Sequence, residues 1–219
     1  RYRRALAALE ASPVFSGSAS ASVWDRRFRP ADDHFATSKR LRRLLYVLRP
    51  PLSKRLVENE ADVVDSLEKM ASFIDNRLRV ATVDFASEEF RSNIAAQWRL
   101  ATMTDILTGP HGMGLAWAAF MKEGGVIIEF MPHMTELNAQ LCRRNGKYRP
   151  RWDTTPMYAY GGLALVMGLH HVCIVGLPSL TKSRGYGLAA ELQTWHSTTI
   201  RADIAALEEE LRVALGPPE

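Results

Sequence analysis

Cysteine is almost missing from this sequence. The two that occur, Cys142 and Cys173, are too few for a metal centre or a disulfide framework. They leave a single bridge open and do not decide the redox compartment. Neither sign of charge dominates: the net charge is +4 and the isoelectric point near 9.2. Such mild basicity suits a small anionic ligand and does not by itself imply nucleic acid. Arginines cluster at Arg1, Arg3 and Arg4, at Arg26, Arg27 and Arg29, and at Arg40, Arg42 and Arg43, and read as solvated faces. Charge is absent altogether between Thr154 and Thr181, so a membrane span has to be weighed. A Gly-Gly pair, two histidines and Pro178 interrupt that stretch, which divides instead into an apolar helix and a short strand. There is no signal-peptide pattern and no initiating Met, so the expectation is a trimmed chain or a fragment. What is plentiful is apolar side chain, 47% of the 219 residues, enough for one good core or two small ones.

The chemistry concentrates between Thr104 and Phe130. Asp105 to Thr108 reads as a short buried strand, and Gly109-Pro110 as a turn. His111-Gly112-Met113-Gly114 is a glycine-spaced loop, and Leu115 to Met121 opens an apolar helix that Gly124-Gly125 ends. Val126 to Phe130 is a second strand. Glycines where a strand hands over to a helix let backbone N–H groups at the helix N-terminus approach an anion closely. The helix dipole adds about half a positive charge there. The expected ligand is a phosphate or diphosphate, held by the N–H groups around Gly112, Met113 and Gly114, with His111 as a side-chain donor. The loop is not a P-loop, because no Gly-Lys-Ser/Thr follows it. It is not the full dinucleotide fingerprint either, because Trp117 stands at its third glycine position. A tight turn with a surface histidine is the plainer alternative.

Arg4 to Glu10 and Ala31 to Arg40 read as helices, with a serine-rich linker over Ser16 to Ser22 between them. Leu44 to Leu48 reads as a strand, Ala61 to Ser72 as a helix with Val64, Leu67 and Ala71 on one face, and Arg79 to Phe85 as a strand. Ser87 caps a helix running to about Leu100. Strand and helix thus alternate from 44 to 130, the pattern of a doubly wound parallel α/β sheet. Arg49 follows the first strand, where such sheets bind ligands, and can fork onto a diphosphate. Arg55 sits in the same loop. Asn59 is read as the cap of the next helix. Glu129 ends the second strand of the central unit, where a carboxylate accepts from ribose hydroxyls or forms an edge salt bridge. Beyond it the reading gives a helix at Thr135 to Arg144, a turn at Asn145-Gly146, a basic aromatic surface loop at Tyr148 to Trp152 and a helix at Tyr158 to Met167. A strand follows, ending at Val175, then a loop at Ser179 to Gly187 with Lys182 and Arg184, and a C-terminal helix at Ile200 to Leu215. His170-His171 is a poor metal pair, because adjacent strand residues face opposite ways.

The run Ile106-Leu-Thr-Gly-Pro-His-Gly-Met-Gly-Leu115, then Phe120, then Gly124-Gly-Val-Ile-Ile-Glu-Phe-Met-Pro132 resembles the hallmark of glycosyltransferase family 61. That family includes plant xylan xylosyl- and arabinosyltransferases and animal N-acetylglucosaminyltransferases. Arg49, Arg55 and Asn59 match its strand-end arginine and its "Arg-x-hydrophobic-x-Asn-Glu" segment. Gly168 to Val172 is similar to its "Gly-Leu-x-Tyr-Val". Met113 replaces a small residue and Trp117 stands early in the helix, two departures expected to narrow the pocket.

The resemblance implies a Rossmann-like α/β fold, the C-terminal, nucleotide-sugar-binding lobe of a two-lobed GT-B enzyme. It assigns residues 41–219 to that lobe and 1–40 to N-terminal helices and a linker. It implies inverting transfer from a nucleotide-sugar, UDP-linked, to a glycan or glycoprotein acceptor, without a metal or other cofactor. Arg55, His111 and Gly112 to Gly114 would hold the diphosphate, with Arg49 assisting. The base is expected in the other lobe, His111 being the weaker candidate. A eukaryotic member would work in the Golgi or endoplasmic reticulum lumen, a bacterial one in the cytoplasm. Met113 and Trp117 keep a non-catalytic nucleotide-binding module in view. A dinucleotide oxidoreductase is disfavoured by the incomplete fingerprint.

Overall fold

The computed structural model describes residues 41–50, 56–73, 78–133, 159–178 and 199–215. Several readings lie outside these: both N-terminal helices, the serine-rich linker, Arg55, everything expected between Thr135 and Trp152, and the Ser179 to Gly187 loop.

Five parallel strands form one sheet in the order β2-β1-β3-β4-β5. They are β1 (Arg42–Val47), β2 (Leu78–Val83), β3 (Ile106–Pro110), β4 (Val126–Met131) and β5 (His170–Val175). The three central strands are buried on both faces, as their unbroken apolar runs require. Leu44, Tyr46, Ile106, Ile128 and Phe130 point to one side, where α1 (Glu60–Phe73) and α5 (Ile204–Leu215) lie. Leu45, Val47, Leu107 and Ile127 point to the other. There they meet α2 (Glu88–Arg91), α3 (Ile94–Met103), the 3-10 helix Met113–Phe120 and α4 (Ala159–Met167). This is a doubly wound α/β sheet of the Rossmann-like kind. Among the described residues no helix is long and apolar enough to cross a membrane.

The structure corrects the local reading in four places. β3 runs through Gly109 and Pro110, which pair with Glu129 and Phe130 of β4, so no turn falls there. The segment after the loop winds as a 3-10 helix, not an α-helix; it is apolar nearly all round and so carries no period to distinguish the two. The helix expected from Ser87 to Leu100 is two helices. Ser87 starts the first without a side-chain cap bond, and the Asn93 side chain accepts from the Ala96 N–H at 2.9 Å to start the second. Asn59 precedes α1, but its side chain does not cap it. Its amide donates to the Ala202 carbonyl at 3.0 Å and accepts from the Ala202 N–H at 2.8 Å.

That clamp, with the Val57–Ile200 bridge, fastens the segment before α5 to the end of the β1 loop. Ala202 is buried, and removing the amide would leave both of its backbone groups unpaired. Asn59→Ala should therefore cost the fold about 3 kcal/mol, given ~1–3 kcal/mol per orphaned buried group. Urea unfolding checks this, and a variant as stable as the parent would show the clamp to be idle.

Candidate functional site

Strand order decides where a site forms. β1 leads outward to β2 on one side, and the chain then crosses back to β3 on β1's other side. The loops after β1 and β3 therefore diverge over opposite faces and leave a crevice at the strands' C-terminal ends. Arg49 stands on one rim. His111-Gly112-Met113-Gly114 forms the other.

The loop is held from behind. The His111 N–H donates to the Phe130 carbonyl at 2.9 Å. The His111 carbonyl accepts from Arg49 Nη2 at 2.8 Å. The Gly112 carbonyl accepts from the Tyr160 hydroxyl at 2.6 Å and from the Leu115 N–H at 2.9 Å. In a trans peptide, C=O and the following N–H point opposite ways. Fixing the carbonyls of 111 and 112 toward Arg49 and Tyr160 therefore turns the N–H groups of Gly112 and Met113 to the other side. The first N–H groups of a helix also have no acceptor within it. The glycines are required by this closeness. Gly112 has φ +154°, and a Cβ there would lie 1.5 Å from Arg49 Nη2; one on Gly114 would lie 2.6 Å from Val47 Cγ1.

Beneath the loop lies the least expected feature. Glu129, 2% exposed, is bonded through Oε1 to His111 Nδ1 and through Oε2 to His171 Nε2 at 2.8 Å. Burial pushes the Glu129 carboxyl up, but bonds from His111 and His171 and their charge outweigh it and hold the pKa below its ordinary value. An ionised carboxylate only accepts, so both facing ring nitrogens carry hydrogen. The His111 ring also meets the Tyr160 ring edge-on, centroids 5.5 Å apart. His170 is exposed while its neighbour His171 turns inward, the alternation expected of a strand. Among the described residues no three His, Cys, Asp or Glu side chains form a group able to hold a metal ion.

Each candidate residue except Arg55, which lies outside the described residues, now has a place. His111, Gly112 and Gly114 come together with Arg49. Burial lowers the Arg49 pKa from its usual value, with Tyr160 opposing, and one arm of its guanidinium is spent on the loop's own backbone. Glu129 turns inward to the histidines, not outward to a ribose. Met113 is 78% exposed. Trp117 packs between Phe85 and Phe120, centroids 5.9 and 5.4 Å away. Tyr160 and His171 were missed as site residues, because their partners are set by the packing of α4 and the register of β5. Cys173 is disulfide-bonded, and it sits opposite Glu129 in the β4–β5 register. The sequence's other cysteine, Cys142, lies outside the described residues.

A switch-point crevice with a glycine loop and a buried carboxylate occurs in many enzymes, so geometry alone leaves the reaction open. The family model for glycosyltransferase 61 matches residues 4–128, more than half of the chain. The chain belongs to glycosyltransferase family 61. It is thus a glycosyltransferase, an enzyme that moves a sugar from a nucleotide-sugar donor to a glycan-type acceptor. The match takes in β1 to β3, the loop and the first half of β4. A comparison with curated proteins returns no match.

Proposed function

We propose that the crevice at the His111–Gly114 loop, on the side its N–H groups face, receives the diphosphate of a UDP-sugar, and that transfer inverts the anomeric centre. The observation that carries this is the loop held from behind, with its carbonyls tied to Arg49 and Tyr160 and its N–H groups turned away from them. Diphosphate oxygens would accept from Gly112, Met113 and Gly114 and from His111 Nε2–H. Glu129 holds that ring in place by its bond to Nδ1. Arg55 would add a second cation from the β1 loop. In the reaction, the acceptor hydroxyl oxygen attacks the anomeric carbon as the bond to the diphosphate oxygen breaks. The nucleoside diphosphate leaves with the electron pair, and the acceptor proton passes to a base. Fixed donors aimed at the departing diphosphate are worth most at that step. The base is assigned to a second lobe, with the described residues as the donor-binding lobe of a GT-B enzyme. No metal is assigned to the reaction. The disulfide at Cys173 supports an oxidising compartment such as the Golgi or endoplasmic reticulum lumen.

The test is calorimetric titration of the chain with UDP, GDP, ADP and NAD, with and without a divalent cation. The expected result is UDP binding that needs no cation and weakens about tenfold or more in His111→Ala, the loss of one charge-assisted hydrogen bond. Absence of binding to all four, or unchanged affinity in the variant, would overturn the reading.

A further inference from the structure

We propose that His171 is a positioning residue: by donating to Glu129 it holds that carboxylate ionised and aimed, and so fixes His111 with its proton on Nδ1 and Nε2 turned to the ligand. The inference deepens the donor-loop reading and rests on it for the ligand's identity alone.

Glu129 is buried from the α3 and α4 side of the sheet, and its two oxygens are divided between two histidines that arrive on different segments. His111 comes from the loop after β3. His171 comes from β5, where it pairs with Ile127, two residues before Glu129 on β4. Successive odd positions of β4 and β5 share a face, which is why His171 reaches the carboxylate while His170 is exposed. A carboxylate this deep favours its neutral form unless donors offset the lost water. Two donors do so here. With one removed, the proton on His111 Nδ1 finds a better home on Glu129, which becomes a carboxylic acid. The His111 ring then takes its bond at Nδ1 as an acceptor. Among the described residues the His171 side-chain bond is to Glu129, so its effect travels through Glu129.

The test reads ring protonation directly. Long-range proton–nitrogen NMR of the full chain distinguishes a protonated ring nitrogen from a bare one for each histidine. The parent should show hydrogen on His111 Nδ1 and on His171 Nε2. His171→Gln keeps an N–H donor near the Nε2 position, so it should keep hydrogen on His111 Nδ1 and hold UDP affinity to within about threefold of the parent. His171→Leu removes the donor, so it should leave His111 Nδ1 bare and weaken UDP binding about tenfold. A parent with a bare His111 Nδ1 or a bare His171 Nε2 overturns the proposal. So does a Leu variant that keeps hydrogen on His111 Nδ1, or a Gln variant that behaves like Leu. Should the Leu variant not fold, the parent spectrum and the Gln variant still decide. Ring states as expected in a chain that binds no UDP would support the positioning role while removing the donor-loop reading.

Discussion

Glu129→Gln should destabilise the chain by about 3 kcal/mol and weaken UDP binding at least tenfold. Breaking a buried ion pair by removing one charge costs ~3–5 kcal/mol. Here the carboxylate is 2% exposed and serves two imidazoles at once. The amide has one oxygen and one NH2, so one histidine would face a donor with its own N–H. That ring must turn, lose its hydrogen or move, and either histidine carries the disturbance into the loop. Thermal unfolding and calorimetry of the same sample measure both effects. A Gln variant equal to the parent in melting temperature and affinity would remove the carboxylate from the site.

The pH dependence has a definite sign. The folded pKa of Glu129 is depressed, so its contribution to stability is present above the ordinary carboxylate pKa and is lost as pH falls through the folded value. The parent should therefore lose its advantage over the Gln variant only in acid.

Gly112→Ala should be the most damaging single-methyl change in the loop. The new Cβ would sit 1.5 Å from Arg49 Nη2 and 2.6 Å from Cζ, at a φ of +154°. The guanidinium can move, but only by releasing the His111 carbonyl it holds at 2.8 Å. Left-handed strain of ~1–3 kcal/mol then adds to a lost charge-assisted bond of ~1.5–3 kcal/mol. Together these predict about a hundredfold loss of UDP affinity, or a comparable loss of stability. A double-mutant cycle with Arg49→Ala separates the two parts. With the arginine gone, the alanine should cost only its backbone strain, so the changes should couple by ~1.5–3 kcal/mol. Simple additivity would show that the two residues do not contend for the same space.

Much of this was legible in the sequence, and the failures have physical causes. Strands β1, β3 and β4 stand out because buried parallel strands are largely apolar runs, and Gly112 and Gly114 because little else fits beside Arg49 and Val47. The 3-10 winding was not legible, since Leu115, Ala116, Ala118, Ala119 and Phe120 give no polar face to set a period. The break at Asn93 depends on a side chain choosing a local N–H over continuing the helix. His171 and Asn59 illustrate a different limit. Glu129 meets His171 because β4 and β5 pair in one register, and Asn59 meets Ala202 because α5 packs against α1. No local pattern encodes either meeting.

The position of β1 also bears on how the chain acquires its shape. Its neighbours on both edges, β2 and β3, come later in the sequence, so during synthesis it leaves the ribosome with neither edge paired. Yet Leu44, Leu45 and Tyr46 are fully buried at the end. Until residue 110 has emerged, this segment keeps an open edge, exposed to pairing with other chains. The crevice between β1 and β3 cannot exist before that moment. The same crossover that makes the proposed binding site therefore sets the interval in which a nascent chain most needs protection by a chaperone.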